Sequence, residues 1–221
     1  MKTVWKFLFL AALLTLFVVP YGFAYPVSVD QTIKFSRGPG GQDGGGEFII
    51  SDAMSGQELF GTFCLERSEH IDFSSTFVVN DISPYAANGG GGAVNGKDYI
   101  SDATKWLYWH YVNGTLDDAV DGFSYGATGA NATQHAIWYM EQEISTISSD
   151  YNYLLQAALN YENNTFDTSL GNVMVMNISY LNGTRAQSQL VSAPVPEPAT
   201  MLLLGTGLIG LAGFGKRKIK K

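Results

Sequence analysis

Short apolar runs and longer apolar stretches alternate along the chain between Glu47 and Val191. Glu47-Phe48-Ile49-Ile50, Leu59 to Leu65 and Thr76 to Val79 are brief and rich in aromatic and β-branched residues, which predicts strands. Ala103 to Val112 is longer, with Ser101 or Asp102 placed to cap its start and Asn113-Gly114 to stop it, which predicts a helix. A second helix is predicted from Thr133 to about Ile147, and a third from about Tyr151 to Tyr161. The pattern returns to strand over Val173 to Tyr180 and again near Gln187 to Val191. Strands, helices and strands in that order predict one α+β domain. The glycine clusters Gly38 to Gly46 and Gly89 to Gly92 lack the Lys-Ser/Thr ending of a phosphate loop and read as turns.

The two ends have a different pattern. Lys2 and Lys6 precede the uncharged apolar run Phe7 to Val19, and Gly22-Phe23-Ala24 puts small residues where a signal peptidase reads. Residues 1–24 are therefore expected to be a secretory signal peptide, cleaved after Ala24. At the other end Pro196-Glu197-Pro198 leads into the apolar stretch Ala199 to Gly215 and then into Lys216-Arg217-Lys218-Ile219-Lys220-Lys221. Seventeen helical residues rise only about 25 Å, short of a hydrocarbon core of about 30 Å, so 199–215 is marginal as a permanent span. The basic end would stay cytoplasmic by the positive-inside rule. Gly205-Thr206-Gly207-Leu208-Ile209-Gly210 matches the dinucleotide pattern letter for letter, but no strand-helix context with a later acidic residue surrounds it.

This three-part tail resembles the PEP-CTERM sorting signals of Gram-negative bacteria, with Pro196, Glu197 and Pro198 as the motif. The resemblance implies recognition by an exosortase, removal of the tail, and transient anchoring in the inner membrane through 199–215. The protein then ends at the cell surface or outside the cell, often beside exopolysaccharide. The expected organisation is a signal peptide at 1–24, one ectodomain at 25–194 and the sorting signal at 195–221. Between Tyr25 and Val195 there are six basic and nineteen acidic residues, a net of −13, against −7 for the whole chain. Such an ectodomain is not expected to bind nucleic acid, whose phosphates need Lys and Arg.

An exported chain with one cysteine, Cys64, cannot build an intrachain disulfide framework. Thr133-Gln134-His135-Ala136 offers a different partner: the thiol of Cys64 joined to the Gln134 side chain as an internal thioester. A carboxamide is a poor electrophile, but two groups held in contact gain effective molarity of about 7–11 kcal/mol. Attack by sulfur on the Gln134 carbonyl would expel ammonia. Free N–H groups at the predicted helix start could stabilise the oxyanion, and Phe63, Trp138 and Tyr139 could exclude water.

Thr133-Gln134-x-Ala136 followed by Ile137-Trp138, with the upstream pair Phe63-Cys64, resembles the TQXA thioester domains of Gram-positive surface adhesins. That resemblance spans about residues 45–145. It implies a β-rich thioester-domain-like ectodomain with a helical section, flanked by the signal peptide and the sorting helix. Cys64 and Gln134 would be the cross-linked pair, with Thr133, Ala136, Phe63 and His135 in support. A cell-surface or matrix nucleophile, amine or hydroxyl, would open the bond in one covalent turnover, without enzymatic cycling. The sorting tail is Gram-negative in type, which leaves the target of such a bond open.

Other readings of the same residues compete. A buried, inert Cys64 would leave a non-covalent exopolysaccharide or matrix module. A Cys-His hydrolase would need His70, His110 or His135 beside Cys64, whose acidic neighbours Glu66 and Glu69 should push the thiol up. No cofactor and no metal is expected: the histidines lack ligand spacing, and Asp117, Asp118 and Asp121 lack an EF-hand pattern. Glu141 and Glu143 should face apart on a helix, and the aromatic residues Trp106 to Tyr111 read as core.

Overall fold

Alternation along six strands generates the main sheet. The computed structural model describes residues 25–41, 45–87, 89–162 and 172–193, together with Gly205 and Gly207. In β1 (Thr32–Arg37), Ile33 and Phe35 are buried while Lys34 faces solvent. Phe48 and Ile50 of β2 (Phe48–Asp52) follow the same period, as do Phe77 and Val79 of β4 (Phe77–Ser83). With β3 (Glu58–Thr62), β7 (Asn172–Tyr180) and β8 (Arg185–Ala193) these form an antiparallel sheet in the order β3-β2-β1-β4-β7-β8. β5 (Tyr85–Ala86) and β6 (Asp98–Tyr99) make a separate two-stranded ribbon.

The two ends of the sheet meet. Just past β3, Cys64 forms a bridge with Gln189 of β8. Leu190 N–H donates to Phe63 O at 3.0 Å, and Leu65 N–H to Ser188 O at 3.1 Å. The Thr62 hydroxyl adds a bond to Leu190 O at 2.6 Å. Pairing of the last strand with the third-strand extension removes the exposed edges that an open sheet would leave there. Cys64 sits in that seam.

Side chains on the seam alternate between two cores. Phe63 and Leu65 join the cluster shared with the helices, whereas Cys64 joins a second cluster drawn from the strands. The helical layer comprises α1 (Asp102–Val112), the short α2 (Leu116–Ala119), α3 (Ala127–Met140) and α4 (Asn152–Glu162), the last preceded by a 3-10 turn at Ser149–Tyr151. Trp106, Leu107, Tyr108 and Tyr111 of α1 pack into the helix-side core, as their aromatic density predicts. Full burial of each such side chain contributes about 1.5–3 kcal/mol. The described part of the chain from Tyr25 to Pro194 is one compact unit, α+β and mainly sheet.

The N-cap of α1 is Ser101, whose hydroxyl accepts from Thr104 N–H at 3.1 Å; Asp102 instead lies in the first turn and pairs with Lys105 at 2.7 Å. The Glu141 carboxylate reinforces this cap, accepting from Ser101 N–H at 3.1 Å, Ser101 Oγ at 2.8 Å and the Thr104 hydroxyl.

The boundaries of α3 depart from expectation at both ends. It begins at Ala127, not Thr133, because Gly129 lowers helix propensity without breaking the helix. A Cβ at Gly129 would collide with the Ser124 carbonyl and come within 3.0 Å of the Phe123 ring, so glycine serves packing there. The helix stops at Met140 rather than near Ile147. Gln142 adopts φ 61°, Gln142 N–H bonds Tyr139 O at 3.2 Å, and Glu143 N–H bonds Trp138 O at 2.8 Å. That is a Schellman termination with glutamine in the position glycine usually takes.

The expected signal peptide at 1–24, Pro196, Glu197 and Pro198, and the apolar stretch 199–215 except Gly205 and Gly207 lie outside the described residues. Among the described residues no helix is long and apolar enough to cross a membrane.

Candidate functional site

The sheet seam and the middle of α3 bring Cys64 and Gln134 together. Both side chains are buried, Cys64 at 1% exposure and Gln134 at 0%. The thiol donates to Gln134 Oε1 at 3.2 Å, and Cys64 N–H donates to the same oxygen at 3.2 Å. Gln134 Nε2 donates in return to Cys64 O at 2.8 Å. Three contacts therefore fix the carboxamide against one residue seventy positions away in sequence.

The oxyanion donor differs from the one expected. Gln134 lies two turns inside α3, so the free N–H groups of the helix start at Gly126 and Ala127 are remote from it. The N–H that points at Gln134 Oε1 is instead that of Cys64, in the extended segment past β3. The water shield also differs. Phe63 turns into the other core, edge-on to Tyr108 and Tyr111, and Tyr139 is only half-buried. Trp138, 4% exposed, shares the strand-side cluster with Cys64 and lines the same cleft.

That cleft has a volume of about 650 Å³ and is lined by Gly45, Phe48, Cys64, Arg67, Glu69, His70, Trp138, Glu143 and Gln187 among others. Gly45 closes one side so tightly that a Cβ there would stand 2.6 Å from Gln134 Cγ and 2.9 Å from the Trp138 ring. Its φ of 114° is also one that L side chains rarely adopt. Sequence reading found only a turn at Gly38 to Gly46; nothing local marks Gly45 as a wall of the site.

Glu143 organises the opposite side. Its Oε2 accepts from Arg67 N–H at 2.9 Å and its Oε1 from Gly91 N–H at 2.5 Å. Coming directly after the α3 termination, it ties the helix that carries Gln134 to the segment that follows Cys64. Glu141 turns into the α1 cap while Glu143 reaches Arg67 and Gly91. The two carboxylates take different partners, but through the turn that ends α3, since neither lies on the helix expected to separate them.

Electrostatics disfavour a free thiolate. Burial pushes the Cys64 thiol up strongly, and the nearby Glu66 and Glu143 carboxylates add to the effect. Burial likewise pushes Glu66 up to about 7, against hydrogen bonds from Ser188 that pull the other way. Of the histidines, His70 lines the cleft. His110 bonds the Thr115 hydroxyl at 2.8 Å and packs on Trp106. His135 bonds Asn131 O at 2.8 Å and packs against Trp138 and Tyr151. Neither stands among the residues lining the cleft. Thr133, fully buried, donates to Gly129 O at 2.9 Å, and Ala136 packs in the helix-side core. Among the described residues no group of three or more His, Cys, Asp or Glu side chains is placed to hold a metal ion.

Two similarities to known proteins are found. The solved N-terminal thioester domain of fibronectin-binding protein SfbI from Streptococcus pyogenes is similar to this chain at 13% identity and a TM-score of 0.45, covering 81% of this chain and 100% of that one. No curated protein sequence matches the chain significantly. The family described as PEP-CTERM protein-sorting motif matches residues 194–218, so this is an exported chain that carries a PEP-CTERM sorting signal.

Proposed function

We propose that the ectodomain forms an internal thioester between Cys64 and Gln134 and acts as a covalent surface adhesin. The observation that carries this reading is the pairing of a fully buried carboxamide with a buried thiol at 3.2 Å, where both Oε1 and Nε2 are held by the backbone of Cys64 itself. Sulfur adds to the Gln134 side-chain carbon, the negative charge on Oε1 meets Cys64 N–H, and Nε2 departs as ammonia. Enforced contact supplies what a carboxamide lacks in reactivity, a term of about 7–11 kcal/mol. An amine or hydroxyl reaching the acyl carbon through the cleft then takes the acyl group, and Cys64 is released as a thiol.

This is single-turnover binding chemistry, not enzymatic cycling. The TQXA-like segment Thr133-Gln134-His135-Ala136 supports it, with Thr133 and Ala136 holding the helix. The sorting signal at 194–218 supplies the setting: exosortase processing, passage through the inner membrane, and delivery to the surface of a Gram-negative cell or its biofilm matrix. The target is a nucleophile of that matrix or of a contacted surface, exopolysaccharide hydroxyls included.

Methylamine tests the reading. The mature protein incubated with it should gain a methylamide at Gln134, located by peptide mapping, and one thiol at Cys64. Gln134→Ala and Cys64→Ser should each abolish the adduct. Saccharide binding that survives Cys64→Ser, with no adduct in the wild type, would establish instead a non-covalent module with an inert Cys64. Multiple-turnover cleavage of an ester or peptide, lost in Cys64→Ala, would establish a hydrolase.

A further inference from the structure

The thioester reading leaves a proton unassigned. Sulfur must lose a proton when the bond forms and regain one when it opens, yet its buried setting holds the thiol firmly protonated. A leaving thiolate in that setting is unfavourable, so acyl transfer in either direction calls for an acid-base partner close to Sγ. His110 and His135 are held elsewhere by Thr115 and Asn131, and His70, which lines the cleft, is an exposed residue, whereas Cys64 is buried.

Glu66 lies on the same face of the seam as Cys64, by the two-residue period of an extended segment. It is two residues beyond Cys64, and Leu65 between them packs into the opposite core. Its carboxylate continues the sheet seam, with Oε2 accepting from Ser188 N–H at 2.8 Å where a backbone carbonyl would otherwise stand. Gln187 Nε2 donates to its carbonyl, fixing the backbone as well. The residue is 3% exposed, and its second oxygen, Oε1, is buried with no hydrogen-bond partner among the described residues. Glu66 is also the charge that acts most strongly on the Cys64 sulfur, ahead of Glu143. Such an orphan oxygen is costly and needs a proton or a donor.

We propose that Glu66 is the proton shuttle of this acyl transfer, resting on the thioester reading above. In bond formation the Glu66 carboxylate takes the Cys64 proton as sulfur adds to the Gln134 carbon. It then returns that proton to the departing nitrogen, which leaves as ammonia while the C–N bond breaks. In opening, a primary amine adds to the same carbon and the C–S electron pair passes to sulfur. The Glu66 carboxylate takes the surplus proton from the attacking nitrogen and, now neutral, passes it to the sulfur. Atoms and charge balance with no other co-reactant.

The titratable and charged groups around this corner are Arg67, Glu69 and His70 on the same segment, Glu143 beyond α3, and Arg185 at the start of β8. A carboxyl pushed up to about 7 can serve as acid and base at neutral pH.

The test uses re-closure. The mature protein is opened with ammonium, which regenerates the Gln134 carboxamide, then desalted. Return of the bond is followed by intact mass as the loss of one ammonia. Wild type should re-close with a rate that inflects between about pH 5.5 and pH 8.5, while Glu66→Gln should close on the order of 10²-fold more slowly and without that inflection. The isosteric Gln keeps the seam, and matched thermal melts and near-ultraviolet spectra check the fold. A flat wild-type profile, or Glu66→Gln closing at the wild-type rate, overturns the role of Glu66 while the thioester stands. A wild type whose mass never falls overturns the thioester and the shuttle together.

Discussion

Gly45→Ala should injure the site beyond what the backbone alone would suffer. A methyl at this position would stand 2.6 Å from Gln134 Cγ and 2.9 Å from the Trp138 ring, with the backbone at φ 114°. The positive φ costs an L residue about 1–3 kcal/mol. Forcing the methyl into the packed wall adds about 1–3 kcal/mol. The sum, about 2–6 kcal/mol, is a large share of an ordinary domain stability of about 5–15 kcal/mol. At about 2–4 °C per kcal/mol for a domain of this size, Tm should fall on the order of 10 °C. Relief by moving Gln134 would displace its carbonyl from Cys64, and a misplacement of about 1 Å costs on the order of 10²-fold in rate. Gly56→Ala is the matched control, since its φ is 73° and nothing lies within 4 Å of the added Cβ. Thermal melts and intact mass should therefore separate the two variants. Gly56→Ala loses about 1 kcal/mol and keeps the ammonia loss, whereas Gly45→Ala loses more and closes slowly or not at all. Equal melts and equal masses for both would refute the claim that Gly45 walls the site.

Glu143→Ala should free the amides of Arg67 and Gly91, and hydrogen exchange at those two positions should accelerate at least tenfold more than elsewhere, on the order of 1.4 kcal/mol of lost protection. The same variant should slow thioester formation, read by mass, because the Cys64 segment is no longer tied to α3. Stability should fall as pH rises from about 5 to about 8. Glu66 is pushed up to about 7 and Asp98 to about 6, chiefly by burial. Each raised carboxyl contributes stability that is full below its unfolded value and lost as pH passes its folded value. Urea midpoints of the apo, ammonium-opened protein should drop across that window, and Glu66→Gln should flatten the drop. A midpoint that rises with pH there would contradict the assignment.

The sequence carries the local elements well because their signals are local. Ser101 before the α1 aromatic stretch is a cap whose chemistry needs no tertiary knowledge, and the apolar run in β7 needs none either. β1 carries little local signal: its Ile33-Lys34-Phe35 alternation is short, and its partners β2 and β4 determine its burial. The start of α3 was obscured by Gly129, a residue placed for contact with Ser124 and Phe123 rather than for helix propensity. The Cys64 and Gln134 pair was legible through the four-residue motif, but the reason they meet was not. Closure of the sheet through Phe63, Cys64 and Leu65 onto Ser188 to Leu190 joins segments more than a hundred positions apart. Gly45, Glu66 and Glu143 acquire roles only from that closure. Phe63 shows the reverse case: adjacency to Cys64 suggested a shield, and strand alternation turns it into the opposite core.

Intact mass of the mature protein, taken in acid without prior exposure to amines, tests the central claim most directly. Alkylation of the native protein is a poor substitute, because a thiol at 1% exposure resists reagents whether or not it is bonded. The account predicts a chain lighter than its sequence by one ammonia, with the deficit mapped to a peptide pair containing Cys64 and Gln134. A chain of full sequence mass, with Cys64 fully alkylated once unfolded, would contradict it.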